Sequence, residues 1–214
     1  MKKLLRYALD INNLRKFIGF EIFWHAVKSQ LRMQIFDNPQ NLLPPTTNRT
    51  KVLVLSPHPD DDVFSCGGTI FKHSLANDKI TILYLCDGSK GTPEGIRDSS
   101  LVQKRKRESE EAAKNLGVEE LIFWGYKDGK LEPNRITIKA MWSQINEIKP
   151  DIIYLPSFLD NHPDHRTTNE IFYLALKEQE KINYQDSPLI MMYEICTPIF
   201  PNRLINISEV IENK

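Results

Sequence analysis

"KVLVLSPHPDDDVFSCGG", residues 51–68, joins two kinds of sequence without a break. Lys51 to Ser56 form a short run rich in valine and leucine, the composition of a strand buried on both faces. Directly behind it stand His58, two prolines and three consecutive aspartates, Asp60, Asp61 and Asp62. Adjacent carboxylates repel one another, so a solvated turn gains nothing from three of them beside an imidazole. The cluster reads as a site that holds something.

Four further runs repeat the strand pattern: "KITILYLC" (79–86), "ELIFW" (120–124), "DIIYLPS" (151–157) and "PLIMMYEI" (188–195). Helical stretches alternate with them. Arg105, Glu108, Ala112 and Leu116 recur at helical spacing, and Gly117 stops that helix as a C-cap. A second helix is expected from Thr137 to Ile148, ended by Lys149-Pro150. Apolar strands alternating with helices predict an α/β fold whose sheet is mainly parallel and covered on both faces. In such sheets ligands bind beyond the carboxyl ends of the strands, which is where His58 to Asp62 fall. Gly67-Gly68 lacks the GxGxxG spacing of a dinucleotide loop.

A second cluster, "FLDNHPDHRTTNE" (158–170), follows the fourth run. Of the five histidines, His58, His162 and His165 lie in these two loops. His25 and His73 fall in helical stretches and read as packing or surface residues. A loop with one histidine and several carboxylates, facing a loop with two histidines, suits one divalent transition metal, zinc above all. His58, Asp61 and His165 would supply three ligands and leave a position for water. Asp60 is placed to act as general base. His162, as imidazolium, would stabilise the oxyanion and protonate the leaving group, with Asp164 fixing its tautomer.

The totals narrow the classes. The chain has 214 residues, 41% hydrophobic and 26% charged, enough for one ordinary globular domain. Its formal net charge is zero, so nothing points to nucleic acid as a partner. Three cysteines without a CxxC fit a reducing compartment and a cytoplasmic location. The apolar runs are too short to span a bilayer, and Arg6 and Asp10 interrupt any signal-peptide core. Residues 1–36 differ from the rest, with seven basic against two acidic residues. Phe17, Phe20, Trp24, Val27 and Leu31 recur there at helical spacing, so a helix packed on the main domain is expected. Its basic, aromatic character also suits a peripheral contact with anionic lipid. Residues 37–50 hold three prolines and read as a linker. The expected division is therefore a helical extension and linker over residues 1–50 and one domain over 51–214. No feature of the chain points to a particular oligomer.

"SPHPDDD" followed about a hundred residues later by "HPDH" resembles the LmbE-like, or PIG-L-like, family of zinc N-deacetylases. "RKRESEEAAKNLG" (105–117) is similar to the family's R-x-x-E-x-x-x-A-x-x-x-L-G helix, and "YKDGKLE" (126–132) to its D-G loop. "CDGSKGT" (86–92) resembles the polar loop bordering the substrate pocket. The likeness covers roughly residues 51–210. It implies a Rossmann-like three-layer sandwich that removes acetyl from N-acetylglucosamine conjugates, such as glycosylphosphatidylinositol or thiol precursors, glycopeptides and chitin fragments. It implies one zinc on His58, Asp61 and His165, a base role for Asp60, and an acid and oxyanion role for His162 with Asp164 behind it. Iron(II) and manganese(II) use the same ligands. Arg105 matches a family position; an ion pair with Glu108 would serve structure as well as substrate. Asp62 stands where the family usually has glutamate, which bears on fine positioning. Family members commonly continue past the counterpart of residues 206–214, so a short C-terminus is expected. Two other functions fit the same residues: hydrolysis of another amide or ester conjugate, and non-catalytic sugar binding.

Overall fold

Val52, Leu53, Val54 and Leu55 are all fully buried, neighbours pointing to opposite faces of one strand. The computed structural model explains this, describing residues 34–42, 49–92, 98–177 and 187–213. The described strands are β1 (Gln34–Phe36), β2 (Lys51–Ser56), β3 (Lys79–Cys86), β4 (Glu120–Tyr126), β5 (Ile152–Pro156), β6 (Leu189–Tyr193) and β7 (Arg203–Ile205). Five form one sheet of order β4-β3-β2-β5-β6, parallel at every pairing. β2 is its middle strand, with Val54 opposite Ile82 on one side and Tyr154 on the other.

Helices cover both faces. On one, Cys66 and Ile70 of α1 (Asp61–Leu75) and Leu116 of α2 (Ser99–Leu116) pack against Val52, Val54, Ile82, Tyr84 and Tyr154. On the other, Ile138, Met141 and Ile145 of α3 (Arg135–Ile148) and Ile171, Phe172 and Ala175 of α4 (Pro163–Lys177) meet Leu53, Leu55, Leu83, Leu85, Ile153 and Leu155. Each fully buried aliphatic side chain contributes roughly 1.5–3 kcal/mol of transfer free energy. The result is the expected three-layer α/β sandwich.

The local stops act as their residue types suggest. α2 starts at Asp98, whose side chain accepts from the Ser100 N–H, and ends at Gly117 with φ of 69°. A side chain at Gly117 would be strained there and would also collide with Ser74. α3 is opened by an Asn134–Thr137 capping box. α2 begins six residues before Arg105, and the strands differ from expectation by at most two residues at either end. The starts of two helices were not marked in the sequence: α1, read as helical only around His73, and α4 both begin inside the aspartate–histidine clusters. Asp61, Asp62 and Asp164 occupy their first turns, where negative charge favours a helix.

The N-terminal part departs from expectation. Residues 34–36, the last of the expected helical extension, form β1, which pairs in parallel with β7; the rest of that extension lies outside the described residues. The stretch read as a linker carries a 3-10 turn at Pro39–Leu42 and is tied to the domain. Gln40 Nε2 donates to Asp78 Oδ1 at 3.0 Å, and Arg49 bonds the Asn77 carbonyl and Glu119. Partners far along the chain, invisible to local pattern, are the reason. No helix among the described residues is long and apolar enough to cross a membrane.

Candidate active site

From β2 the chain moves outward through β3 and β4, then returns to the other side of β2 for β5 and β6. The loops after β2 and β5 therefore part at the point where the strand order reverses, leaving a crevice between them. Both clusters stand at this crevice.

After β2 the chain turns tightly. Ser56 Oγ donates to the His58 carbonyl at 2.7 Å, and the N–H groups of Asp60 and Asp61 donate to the same oxygen. This turn starts α1 at Asp61 and folds its carboxylate back under His58. Asp61 Oδ2 accepts from the His58 backbone N–H at 2.9 Å and lies 3.2 Å from His58 Nδ1. The same oxygen lies 3.3 Å from His165 Nε2, across the crevice. His165 sits in the first turn of α4, which Pro163 opens, a position where a missing N–H costs no helix hydrogen bond. His162 completes a triangle of imidazoles, with ring centroids 4.7 Å from His58 and 4.6 Å from His165.

The loop after β4 forms a third wall. Gly129 N–H donates to Asp164 Oδ2 at 2.7 Å. His58 Nε2 lies 3.1 Å from that oxygen and 3.4 Å from Asp128 Oδ1. Cys86 Sγ, from the end of β3, approaches Asp164 Oδ2 at 3.6 Å.

His58 thus faces three carboxylates. Burial opposes its charged form, but Asp128, Asp164 and Asp61 prevail and push its pKa up to about 12. Burial would raise Asp61, yet His165 and His58 pull it well below the usual carboxylate range. Asp164 and Asp128, against their own burial, are also lowered by His58. Such a crowd of ionised carboxylates creates a strong demand for positive charge in the crevice. The donors suit a divalent cation. Asp61 Oδ2 already touches two imidazoles, and His58, His162 and His165 can each offer a nitrogen within 4.8 Å of the others. His58 and His165 belong to both sets, and imidazole with carboxylate is the chemistry of zinc-type sites.

Asp60, the N-cap residue of α1, stands beside this set, and Arg105 Nη1 donates to its Oδ2 at 2.7 Å. Burial pushes Asp60 above the ordinary carboxylate range; Arg105 opposes that shift and the Asp61 charge adds to it. Arg105 also reaches the Pro59 carbonyl and fills the space beside Gly88 and Gly91, where any side chain would collide with it. The expected Arg105–Glu108 pair does not form; Glu108 takes Lys104 at 3.7 Å, because Arg105 points inward from α2. Asp62 lies beneath the site, bonded by Tyr84 OH at 2.9 Å, and burial pushes its pKa up to about 6.

Asp164 needs a correction. Its carboxylate does not fix the His162 tautomer: it is engaged by His58 and Gly129, and only its backbone N–H reaches His162 Nδ1, at 3.3 Å. The cause is the start of α4, whose unpaired first-turn N–H groups point back at His162. His162 itself is held low by burial and by the charges of His58 and His165, so the neutral ring is favoured. Sequence reasoning gave no role to Asp128 or Asp160. Both sit inside the motifs "YKDGKLE" and "FLDNHPDH", but neither spacing reveals which way the side chain turns.

The family model described as "PIG-L: GlcNAc-PI de-N-acetylase" matches residues 53–176, more than half of the chain. The diacetylchitobiose deacetylase of Thermococcus kodakarensis is 29% identical over 211 residues, covering 93% of this chain and 76% of that protein. A Bacillus anthracis protein named "Probable N-acetyl-alpha-D-glucosaminyl L-malate deacetylase 2" is 30% identical over 138 residues, 60% of each chain. Among solved structures, the N,N'-diacetylchitobiose deacetylase from Pyrococcus horikoshii superposes with a TM-score of 0.64 at 28% identity, covering 83% of this chain and 70% of that one.

Proposed function

The chain belongs to the PIG-L, GlcNAc-PI de-N-acetylase, family, and from that premise we propose that it is a metal-dependent hydrolase removing the N-acetyl group from an N-acetylglucosamine-type sugar or glycoconjugate. One observation carries the reading: Asp61 Oδ2 lies within 3.3 Å of both His58 and His165, with Asp60 next to it in sequence, at the crevice of the sheet. His58, Asp61 and His165 would hold one zinc ion; iron(II) and manganese(II) suit the same donors. Such an ion supplies Lewis acidity, polarising the acetyl carbonyl and making water easier to deprotonate.

The chain's own groups do the rest. Asp60 takes the proton of the water that attacks the acetyl carbonyl, and its raised pKa makes it a better base than an exposed aspartate. Arg105 fixes that carboxylate in place. His162 receives the Asp164 N–H on Nδ1, so its own proton sits on Nε2. Neutral His162 then donates to the developing oxyanion, as a neutral imidazole can. The proton held by Asp60 passes to the amine as the C–N bond breaks, releasing acetate and the free amino sugar. The unit that performs this runs over residues 51–214, and the basic, aromatic residues 1–36 are assigned a peripheral contact with anionic membrane. Unchanged liposome co-sedimentation after removal of residues 1–33 would overturn that assignment.

The direct test offers N-acetylglucosamine, diacetylchitobiose and N-acetylglucosaminyl malate to zinc-loaded protein and measures acetate. Release from at least one, abolished by a chelator and restored by zinc, is expected. Stoichiometric zinc without acetate from any of them would sink the deacetylase reading.

A further inference from the structure

Asp160 stands outside the proposed ligand set, in the loop between β5 and α4, and is 1% exposed. Four groups converge on its two oxygens. Oδ1 accepts from the His162 backbone N–H at 2.8 Å and lies 3.0 Å from His165 Nδ1. Oδ2 accepts from the backbone N–H groups of Cys196 and Thr197, at 2.9 and 3.3 Å. Those two residues belong to the loop after β6, which a second bond, Asn161 N–H to Thr197 Oγ1 at 2.9 Å, also ties to this spot.

With Nε2 given to the metal beside Asp61, His165 would carry its ring proton on Nδ1. Three backbone N–H groups donate to Asp160, while the buried Nδ1 of His165 lies 3.0 Å from Oδ1 without yet making a hydrogen bond. Once the ring turns its N–H toward Oδ1, a carboxylate can accept from all four. An asparagine cannot: whichever way its amide turns, its NH2 faces two donors.

We propose that Asp160 is a positioning residue for metal binding: it fixes the orientation and tautomer of His165 from behind while anchoring that arrangement to the loop after β6. Carboxylates behind a ligating imidazole raise its basicity and restrict its rotation, and their loss typically weakens metal binding about 10–100-fold. The proposal rests on the reading of His165 as a metal ligand.

The experiment measures zinc affinity of the full chain by competition with a chromophoric chelator, in wild type and in Asp160→Asn, with thermal unfolding of both metal-free proteins alongside. Binding weakened about 10–100-fold is expected in the variant. Equal affinity overturns the proposal while leaving the ligand reading intact, even if the metal-free variant melts lower, because Asp160 would then serve structure alone. Wild-type protein that binds no zinc overturns the ligand reading and this proposal together. A second measurement needs only wild type and covers a variant that does not fold. Imidazole nitrogen–proton NMR of the zinc-loaded protein, with His165 assigned through His165→Gln, should show its proton on Nδ1. A His165 ring without that proton would refute the arrangement.

Discussion

Buried histidine–aspartate assemblies stand at both ends of α1, and they differ in one respect. At the far end His73 is fully buried between Asp78 Oδ2, 2.6 Å from Nδ1, and Tyr154 OH, 2.9 Å from Nε2. Asp78 spends its other oxygen on Gln40. Each ring nitrogen has one partner, and the group is complete. At the near end His58 faces Asp61, Asp128 and Asp164, with two more imidazoles beside it and Asp60 at the rim. The first assembly satisfies itself with protein groups and holds α1 to the sheet. The second gathers more ionised oxygen than its own protons can neutralise. A cluster of the first kind is structural, and one of the second kind has the pattern that functional sites show.

The comparison is most severely tested by loading the protein with zinc. Asp61→Ala should strip the zinc, read as metal per chain by elemental analysis, and reduce acetate release to background. Asp78→Ala, at the other end, should retain both. Asp60→Asn should lower kcat about 10²–10⁴-fold with zinc retained, since a general base contributes on that scale. Zinc loss in that variant would place Asp60 among the ligands instead. At the closed end, His73→Ala leaves Asp78 without its main partner and should cost about 3 kcal/mol in denaturant unfolding, with unchanged zinc affinity.

Acid response should separate the two ends as well. Asp62, beneath the site, rises from 3.8 to about 6, chiefly through burial. The folded state therefore binds its proton more tightly than the unfolded one. This group's contribution to stability improves as pH falls from about 6 toward 3.8, and near neutrality its ionised form costs about 3 kcal/mol. Asp62→Asn should stabilise metal-free protein at pH 7 and flatten that slope. Asp78 behaves oppositely: burial notwithstanding, His73 holds it below 3.8, so its contribution is present above 3.8 and is lost as pH falls through its lowered pKa. The smallest effect belongs to Tyr154→Phe, which removes one hydrogen bond to His73 and should cost about 1 kcal/mol.

Much of this architecture is legible in the sequence. The five strands announced themselves because a strand covered on both faces has no polar side to show, and Gly117 and Lys149-Pro150 stopped their helices for reasons of backbone geometry alone. His58, Asp61 and His165 were legible as one group because two similar clusters followed two strand-like runs. The short β1–β7 pair was not legible, since three residues carry no periodicity and the partner lies far along the chain. Asp160 was passed over because aspartate before "NHPDH" looks like an ordinary turn residue.

By itself, then, the sequence determined the α/β class, the strands, and which residue types gather at their ends, all written in runs a few residues long. Tertiary structure alone decided who holds whom. Arg105 reaches Asp60 across 45 residues of chain rather than Glu108 three positions away. Asp164 spends its carboxylate on His58 at a separation of 106 residues, leaving His162 only a backbone N–H. Backbone propensity and periodicity are local quantities. The direction of a charged side chain in a crevice is set by the sum of fields and contacts from every wall, and those walls meet only when the sheet has formed.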